Sequence, residues 1–384
     1  MSVSFIQSSS LVSLAQSPMP YTLEETSSVQ LNAGYQYVLD LYYWTGSITG
    51  SGSVPDYTLV KYPNASGVGI FDVSRILNST LQDLAIQNTS NVGYYAVEGY
   101  DEYISGSLYV TGSRVRSTTA KYLDGYSIFQ EPISQSIYNK TPHWPLMTSG
   151  PTTQSILDSN YGNAAVWVGT SGTTVPTKVV YTTNLGTTEI QLSGSTNTTG
   201  QVQQVPINNT LFGSLSGITS YTIQAYNSTT PLGTAIKYEV DCQSKYPNVR
   251  IKWKNRFGQF DFMNFNLVNT QAFGVSRSVY QPQIGSWESR GLSYQPYDSS
   301  NLNYLVDTNQ SLSVNTNWIS EDYNDIFKEF LVSDEIYWIY DEATNDLRPI
   351  TISTNSFQFK TEVVNKLIQY QFDFAWGQSY KLVI

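Results

Sequence analysis

The stretch Arg250-Ile251-Lys252-Trp253-Lys254-Asn255-Arg256-Phe257-Gly258-Gln259-Phe260-Asp261-Phe262-Met263-Asn264-Phe265 decides the class of fold. Its first five residues alternate cationic and apolar side chains, the pattern of a strand whose successive side chains point to opposite faces. Gly258 then punctuates the chain, and aromatic residues resume on the far side, so the stretch reads as a hairpin with a glycine turn between two aromatic faces. The rest of the chain has the same texture. Aromatics make up 14% of it, with 30 Tyr, set among Thr, Val and Ile in short runs punctuated by 26 Gly and 15 Pro. Such residues fit pleated, half-buried surfaces. The expected fold is therefore all-β, mostly antiparallel β-sandwich domains in series, with one short helix near the C-terminus.

Working outward, Gly34–Trp44 and Asp56–Tyr62 read as a hairpin. A turn at Pro63–Gly67 feeds the apolar run Val68–Val73, where Asp72 or Ser74 is placed to cap a short helical turn holding Ile76 and Leu77. Tyr94–Tyr103 and Ser107–Val115 close a first domain, 1–118. Residues 119–158 are broken by Pro132, Pro142, Pro145 and Pro151 and lead into a Gly/Thr-rich middle β domain, 119–246. Its expected strands are Ala164–Val168, Lys178–Thr183, Thr187–Leu192, Gln201–Ile207, Ser220–Tyr226 and Ala235–Val240. The C-terminal domain, 247–384, holds the best helix candidate, 320–332: Ser320 as N-cap, Glu321 and Asp322 in the first turn, and Ile326, Phe327, Phe330 and Leu331 at helical spacing. Strands follow at Glu335–Tyr340, Arg348–Thr354 and Lys366–Ala375.

Composition also excludes functions. With 20 Lys+Arg against 30 Asp+Glu over 384 residues, the formal charge is −10 and only 13% of residues are charged, which disfavours binding driven by phosphate counterion release. The single His143 and single Cys242 rule out any site in one chain that needs two imidazoles or two thiols. No basic-then-apolar leader opens the sequence and no apolar run reaches membrane-spanning length, so neither secretion nor a membrane association is expected.

The acid doublets Glu24-Glu25, Asp101-Glu102, Glu321-Asp322, Asp334-Glu335 and Asp341-Glu342 supply paired carboxylates, but strand neighbours diverge, and solvated turns or helix starts are the default. Asp341–Asp346 lacks calcium-loop spacing and reads as a hairpin turn. His143, between Pro142 and Trp144-Pro145, and Cys242, on a strand face, read as packing residues. Arg250, Lys252 and Lys254 fall on one face of a strand; a salt-bridged contact with an acidic neighbour is favoured there over a nucleic-acid strand. The Asn-x-Ser/Thr triplets reflect composition. No phosphate loop, nucleophile elbow or metal motif is present, so no catalytic residue, cofactor or metal ligand is assigned.

Lys61–Asn64 with Gly67–Leu77, Ile251–Asp261, Leu312–Asp322, Arg348–Ile352 and Leu367–Phe372 together resemble a family of virion structural proteins of tailed phages infecting Bacteroidetes, the crAss-like phages included. The likeness spans both ends of the chain, while residues 150–240 match in composition only, and Gln259 stands where a second Gly is common. The resemblance implies a non-enzymatic ring or adaptor component of the neck or tail. It would self-assemble as a homo-oligomer and contact other neck and tail proteins, the portal or tail fibres among them, with DNA at most passing through. It also implies assembly in the host cytoplasm and residence in the virion. The motif residues then implied as interface or structural are Phe71, Asp72, Arg75, Trp253, Asn255, Arg256, Phe257, Gly258, Phe260, Asp261 and Trp318, with Trp253, Phe257, Phe260 and Trp318 expected in the core or in an intersubunit seam. A weakly charged chain with 8 Trp and 30 Tyr suits large, specific interfaces. Two alternatives stay open: a receptor-binding fibre or spike, and a polysaccharide depolymerase.

Overall fold

The computed structural model describes residues 3–46, 52–81, 92–131, 137, 140–157, 160, 162–169, 175–192, 201–207, 217–241, 244–287, 291–341, 346–354, 356–360 and 368–378. The first part of the chain forms β1 (Ser4–Gln7), β2 (Val12–Leu14), β3 (Pro20–Glu24), β4 (Gln36–Thr45), β5 (Tyr57–Lys61), β6 (Val68–Asp72), α1 (Ser74–Leu81), β7 (Val92–Ser105), β8 (Leu108–Thr111), β9 (Val115–Arg116) and β10 (Ala120–Leu123). Next come β11 (Thr153–Leu157), β12 (Asn163–Val168), β13 (Lys178–Thr183), β14 (Gly186–Gln191), β15 (Gln201–Pro206), β16 (Ser220–Asn227) and β17 (Thr230–Asp241). The last part holds β18 (Val249–Lys254), β19 (Phe260–Phe265), β20 (Thr270–Tyr280), β21 (Leu302–Asn315), α2 (Tyr323–Val332), β22 (Ile336–Asp341), β23 (Asp346–Ile352) and β24 (Gln371–Trp376). The chain is thus mostly strand and mostly antiparallel. The exceptions among the described pairings are β2 with β10 and β11 with β17, which run parallel.

Two compact units emerge, one of residues 1–242, 253–262 and 322–334, the other of 243–252, 263–321 and 335–384. In the first unit a sheet ordered β2-β10-β7-β4-β5 and a smaller one ordered β1-β3-β6 share a core of Tyr21, Leu23, Tyr37, Leu39, Phe71, Tyr95 and Tyr122. Because β10 pairs with β2 and β7, this sheet is completed only at Leu123. A five-stranded sheet, β11-β17-β16-β13-β14, and the β12–β15 pair enclose a second core of Val166, Val179, Tyr181, Tyr221, Ile223 and Ile236. A third cluster, with Val12, Tyr94, Leu123, Trp167, Val202 and Phe257, joins the two layered systems. Burying such side chains contributes about 1.5–3 kcal/mol each.

The second unit is built on the sheet that runs β19-β18-β22-β23-β24-β21-β20. Leu312 and Val314 of β21 pair with Phe374 and Phe372 of β24, and all four are buried.

The expected strand Lys178–Thr183 matches β13 at both ends, and the middle-domain strands generally agree to within a residue, while β17 begins five residues before the expected Ala235. Three expectations need correction. The helix begins at Tyr323, not Ser320, because Ile319 is still extended and bridged through both its N–H and C=O to Ile368. Asp322 precedes it without a side-chain cap. A second α-helix, α1, exists where only a helical turn was read; Asp72 accepts from the Ser74 amide and holds its start. The strand expected at Lys366–Ala375 is Gln371–Trp376, with residues 361–367 outside the described ones.

Candidate interaction surface

The hairpin that decides the fold class ends in a turn tied down by its own Asn. Asn255 Oδ1 accepts from the amides of Phe257 (3.0 Å) and Gln259 (3.1 Å), and Nδ2 donates to Met147 O (2.9 Å) and Asp261 Oδ2 (3.1 Å). Gly258 sits at φ +72°, and a Cβ there would collide with the carbonyl of Asp124. Both facts require glycine, the first because L side chains strain in the left-handed region, the second for space. Trp253 and Phe257 are buried, Trp253 edge-on to Phe330 of α2 with centroids 5.1 Å apart; Phe260 is half-buried.

The cations of this stretch turn inward. Lys254 Nζ lies 3.0 Å from Asp124 Oδ2 and 3.0 Å from Asp334 Oδ1, while Arg256 Nη2 and Lys140 Nζ each lie 2.5 Å from an oxygen of Glu131. Arg250, Lys254 and Arg256 are all buried and Lys252 is half-buried, so this stretch does not present the row of exposed cations that a phosphate backbone would need. Glu131, Lys140, Arg256 and Glu329 line an open cleft of about 1130 Å³ with Tyr126 and Phe129. Burial, followed by the nearby Asp261, raises the Glu329 carboxyl to about 7, and burial raises Asp261 to about 6. Glu131 is held below the usual range: burial opposes this, but hydrogen bonds and charge from Arg256 and Lys140 prevail. Both Glu131 oxygens are engaged by these cations, which is the chemistry of an anchoring ion pair.

The other singled-out residues are dispersed. Phe71 is fully buried in the first core, Asp72 also accepts from the Met19 amide at 3.0 Å, and Arg75 is exposed on α1. Trp318 is 60% exposed and belongs to no core. His143 is buried with Nδ1 2.9 Å from Thr234 O and Nε2 3.0 Å from Gly150 O, so its ring is a tie between backbone segments. Of the acid doublets, Asp334 alone joins the ion pairs above; Cys242 and residues 342–345 lie outside the described residues.

What the sequence reading missed is an exposed apolar arm made by β20 and β21. The strands pair from Thr270↔Ser313 out to Tyr280↔Leu302, yet β24 flanks β21 only over Ser311–Asn315. Beyond Gln310 the arm is a two-stranded ribbon of roughly 25 Å, at about 3.4 Å per residue. Nearly all of it is exposed: Phe273, Val275, Val279, Tyr280, Leu302, Tyr304 and Leu305 on the strands, and Trp287, Tyr294 and Tyr297 in the connecting loop. The signal was present in the alternation Phe273-x-Val275 against Val306, diluted by the Gly and Ser between.

No protein-family model matches the chain, and no curated protein is similar to it. Among the described residues no helix is long and apolar enough to cross a membrane.

Proposed function

We propose that this protein is a non-enzymatic structural component of a phage virion, a ring or adaptor of the neck or tail that works by self-assembly and by contact with neighbouring neck and tail proteins. The observation that carries this reading is the exposed β20–β21 arm. A two-stranded hairpin is marginal alone in water, and exposed apolar patches of this size mark interaction surfaces. An aromatic side chain hides roughly 150–250 Å² when fully buried, so six arm and loop aromatics, Phe273, Tyr280, Trp287, Tyr294, Tyr297 and Tyr304, at 47–83% exposure display roughly 700 Å². That approaches the ~800 Å² that one partner contributes to a standard interface.

Particles lacking the protein are expected to stop at an incomplete neck or tail by electron microscopy; complete, infectious particles would reject the reading. Threefold symmetry of the assembled protein would point to a fibre instead. The depolymerase alternative has one feature in its favour, Glu131 and Glu329 lining one cleft with their proton affinities pushed apart, as in acid/base pairs. Purified protein is expected to leave host capsular polysaccharide intact. Oligosaccharide release abolished by Glu329→Gln would replace assembly with catalysis.

A further inference from the structure

We propose that β20 of one copy of this chain pairs, antiparallel, with the distal part of β21 of the next copy, so that the arms of successive copies close into a shared β-barrel. This rests on the assembly reading above and names the partner and the bonding of the same surface.

Among the described residues no strand lies on either outer edge of the ribbon. β20 is the last strand of its sheet, and β21 from Leu302 to Gln310 has β20 on one side and, among the described residues, no strand on the other. An open strand edge is a row of N–H and C=O groups suited to pairing with another chain. Natural edges are usually blunted by Lys, Pro or several charges, whereas the eleven residues of β20 carry one charge, Arg277, and no Pro.

The two faces of the ribbon carry different side chains. Register places Phe273, Val275, Val306 and Thr308, together with Gln271, Arg277 and Gln310, on the face that continues inward to the buried Leu312 and Val314, so the apolar residues of the core face run out onto the arm, exposed on β20 and half-buried at Val306 and Thr308. The opposite face carries Ala272, Gly274, Ser276, Asp307, Asn309 and Ser311, small and polar apart from Leu305 near the tip. Strand periodicity fixes this division.

The occupant follows from the two edges. Within one arm β20 and β21 run in opposite directions, so rotation about an axis along the arm sets β20 of one copy beside β21 of the next in antiparallel sense. Each copy offers one edge and accepts the other. Such a heterologous contact repeats and closes as a ring, and closure removes every free edge. A single kind of chain therefore supplies both halves, and the roughly 700 Å² displayed by the arm and loop aromatics together approaches the ~800 Å² that one partner contributes to a standard interface.

The test uses the full chain, with oligomeric state read by analytical ultracentrifugation over a concentration series and amide hydrogen exchange read by mass spectrometry. Expected are a closed oligomer and exchange across 270–280 and 302–310 slowed about 100-fold in the oligomer relative to dissociated subunits. Joining Ala272 to Ser311 through a short Gly-Ser linker is expected to abolish the oligomer while the near-ultraviolet circular dichroism of the remainder persists. An oligomer whose arm amides exchange as fast as in the subunit, or one that survives loss of the arm, overturns this inference and leaves the assembly reading standing. A chain that stays monomeric throughout overturns both. If the shortened chain does not fold, the exchange measurement on the intact oligomer decides.

Discussion

Asn255→Ala tests the turn on which the hairpin is built. The side chain makes four hydrogen bonds, two accepted from the amides of Phe257 and Gln259 and two donated to Met147 O and Asp261 Oδ2. Asn255 is 1% exposed, so truncation strands two amide donors and a carbonyl where bulk water does not reach. A buried group left without a partner costs about 1–3 kcal/mol, and a water entering the vacated space recovers part of that, so the net loss is about 4 kcal/mol. For a unit of this size each kcal/mol lowers Tm by about 2–4 °C, giving a fall of roughly 10 °C by scanning calorimetry. Asn255→Asp sharpens the test. It retains an oxygen to accept both amide hydrogen bonds but places a carboxylate against Asp261 Oδ2, 3.1 Å away in the parent, so it is expected to melt lower still at pH 8 and to recover as the pH falls and the pair takes up a proton. An Asn255→Ala variant melting within 2 °C of the parent would refute the reasoning, since three such losses cannot cost so little.

Three further outcomes are expected. Trp253→Ala removes a side chain 1% exposed and should cost roughly 3–5 kcal/mol, whereas Trp318→Ala, at a site 60% exposed, should leave the melt within about 0.5 kcal/mol; equal effects in urea titrations would show the placement to be wrong. Gly258→Ala should destabilise the fold, because φ is +72° and the Asp124 carbonyl occupies the space a Cβ needs; a melt unchanged from the parent would contradict both. Glu329, raised from 4.5 to about 7, stays protonated in the folded chain while its unfolded counterpart ionises, so its contribution turns against folding as pH rises from about 4.5 and is fully adverse above about 7. Glu329→Gln should flatten that decline, and a variant whose stability falls with pH as steeply as the parent's would show that the proton resides elsewhere.

How far the sequence could be read depended on the range over which each property is set. Lys178–Thr183 is a strand because Val179, Val180, Tyr181, Thr182 and Thr183 are all β-branched or aromatic, and the local rule found it to the residue. The glycine at 258 and the capping acid at 72 were legible for the same reason, since a turn and a helix start are decided within a few positions. Ser320 looked like a cap on equally local grounds. It is not one, because a bridge to Ile368, far along the chain, keeps Ile319 extended.

The sequence by itself therefore determined that this chain is β-rich, where most of its strands lie, and that the 250–265 stretch is a hairpin closed at a glycine. Only the tertiary structure decided which cation meets which acid. Arg256 meets Glu131 across 125 positions and Lys254 meets Asp124 across 130, and no periodicity encodes a partner so distant. It decided the exposure of the arm as well. Phe273 and Val275 carry the same alternation as a core strand, but a strand's period fixes only which side chains share a face. Whether that face is covered depends on a second layer brought by other segments, and along β20 and the outer part of β21 no such layer lies within the described chain.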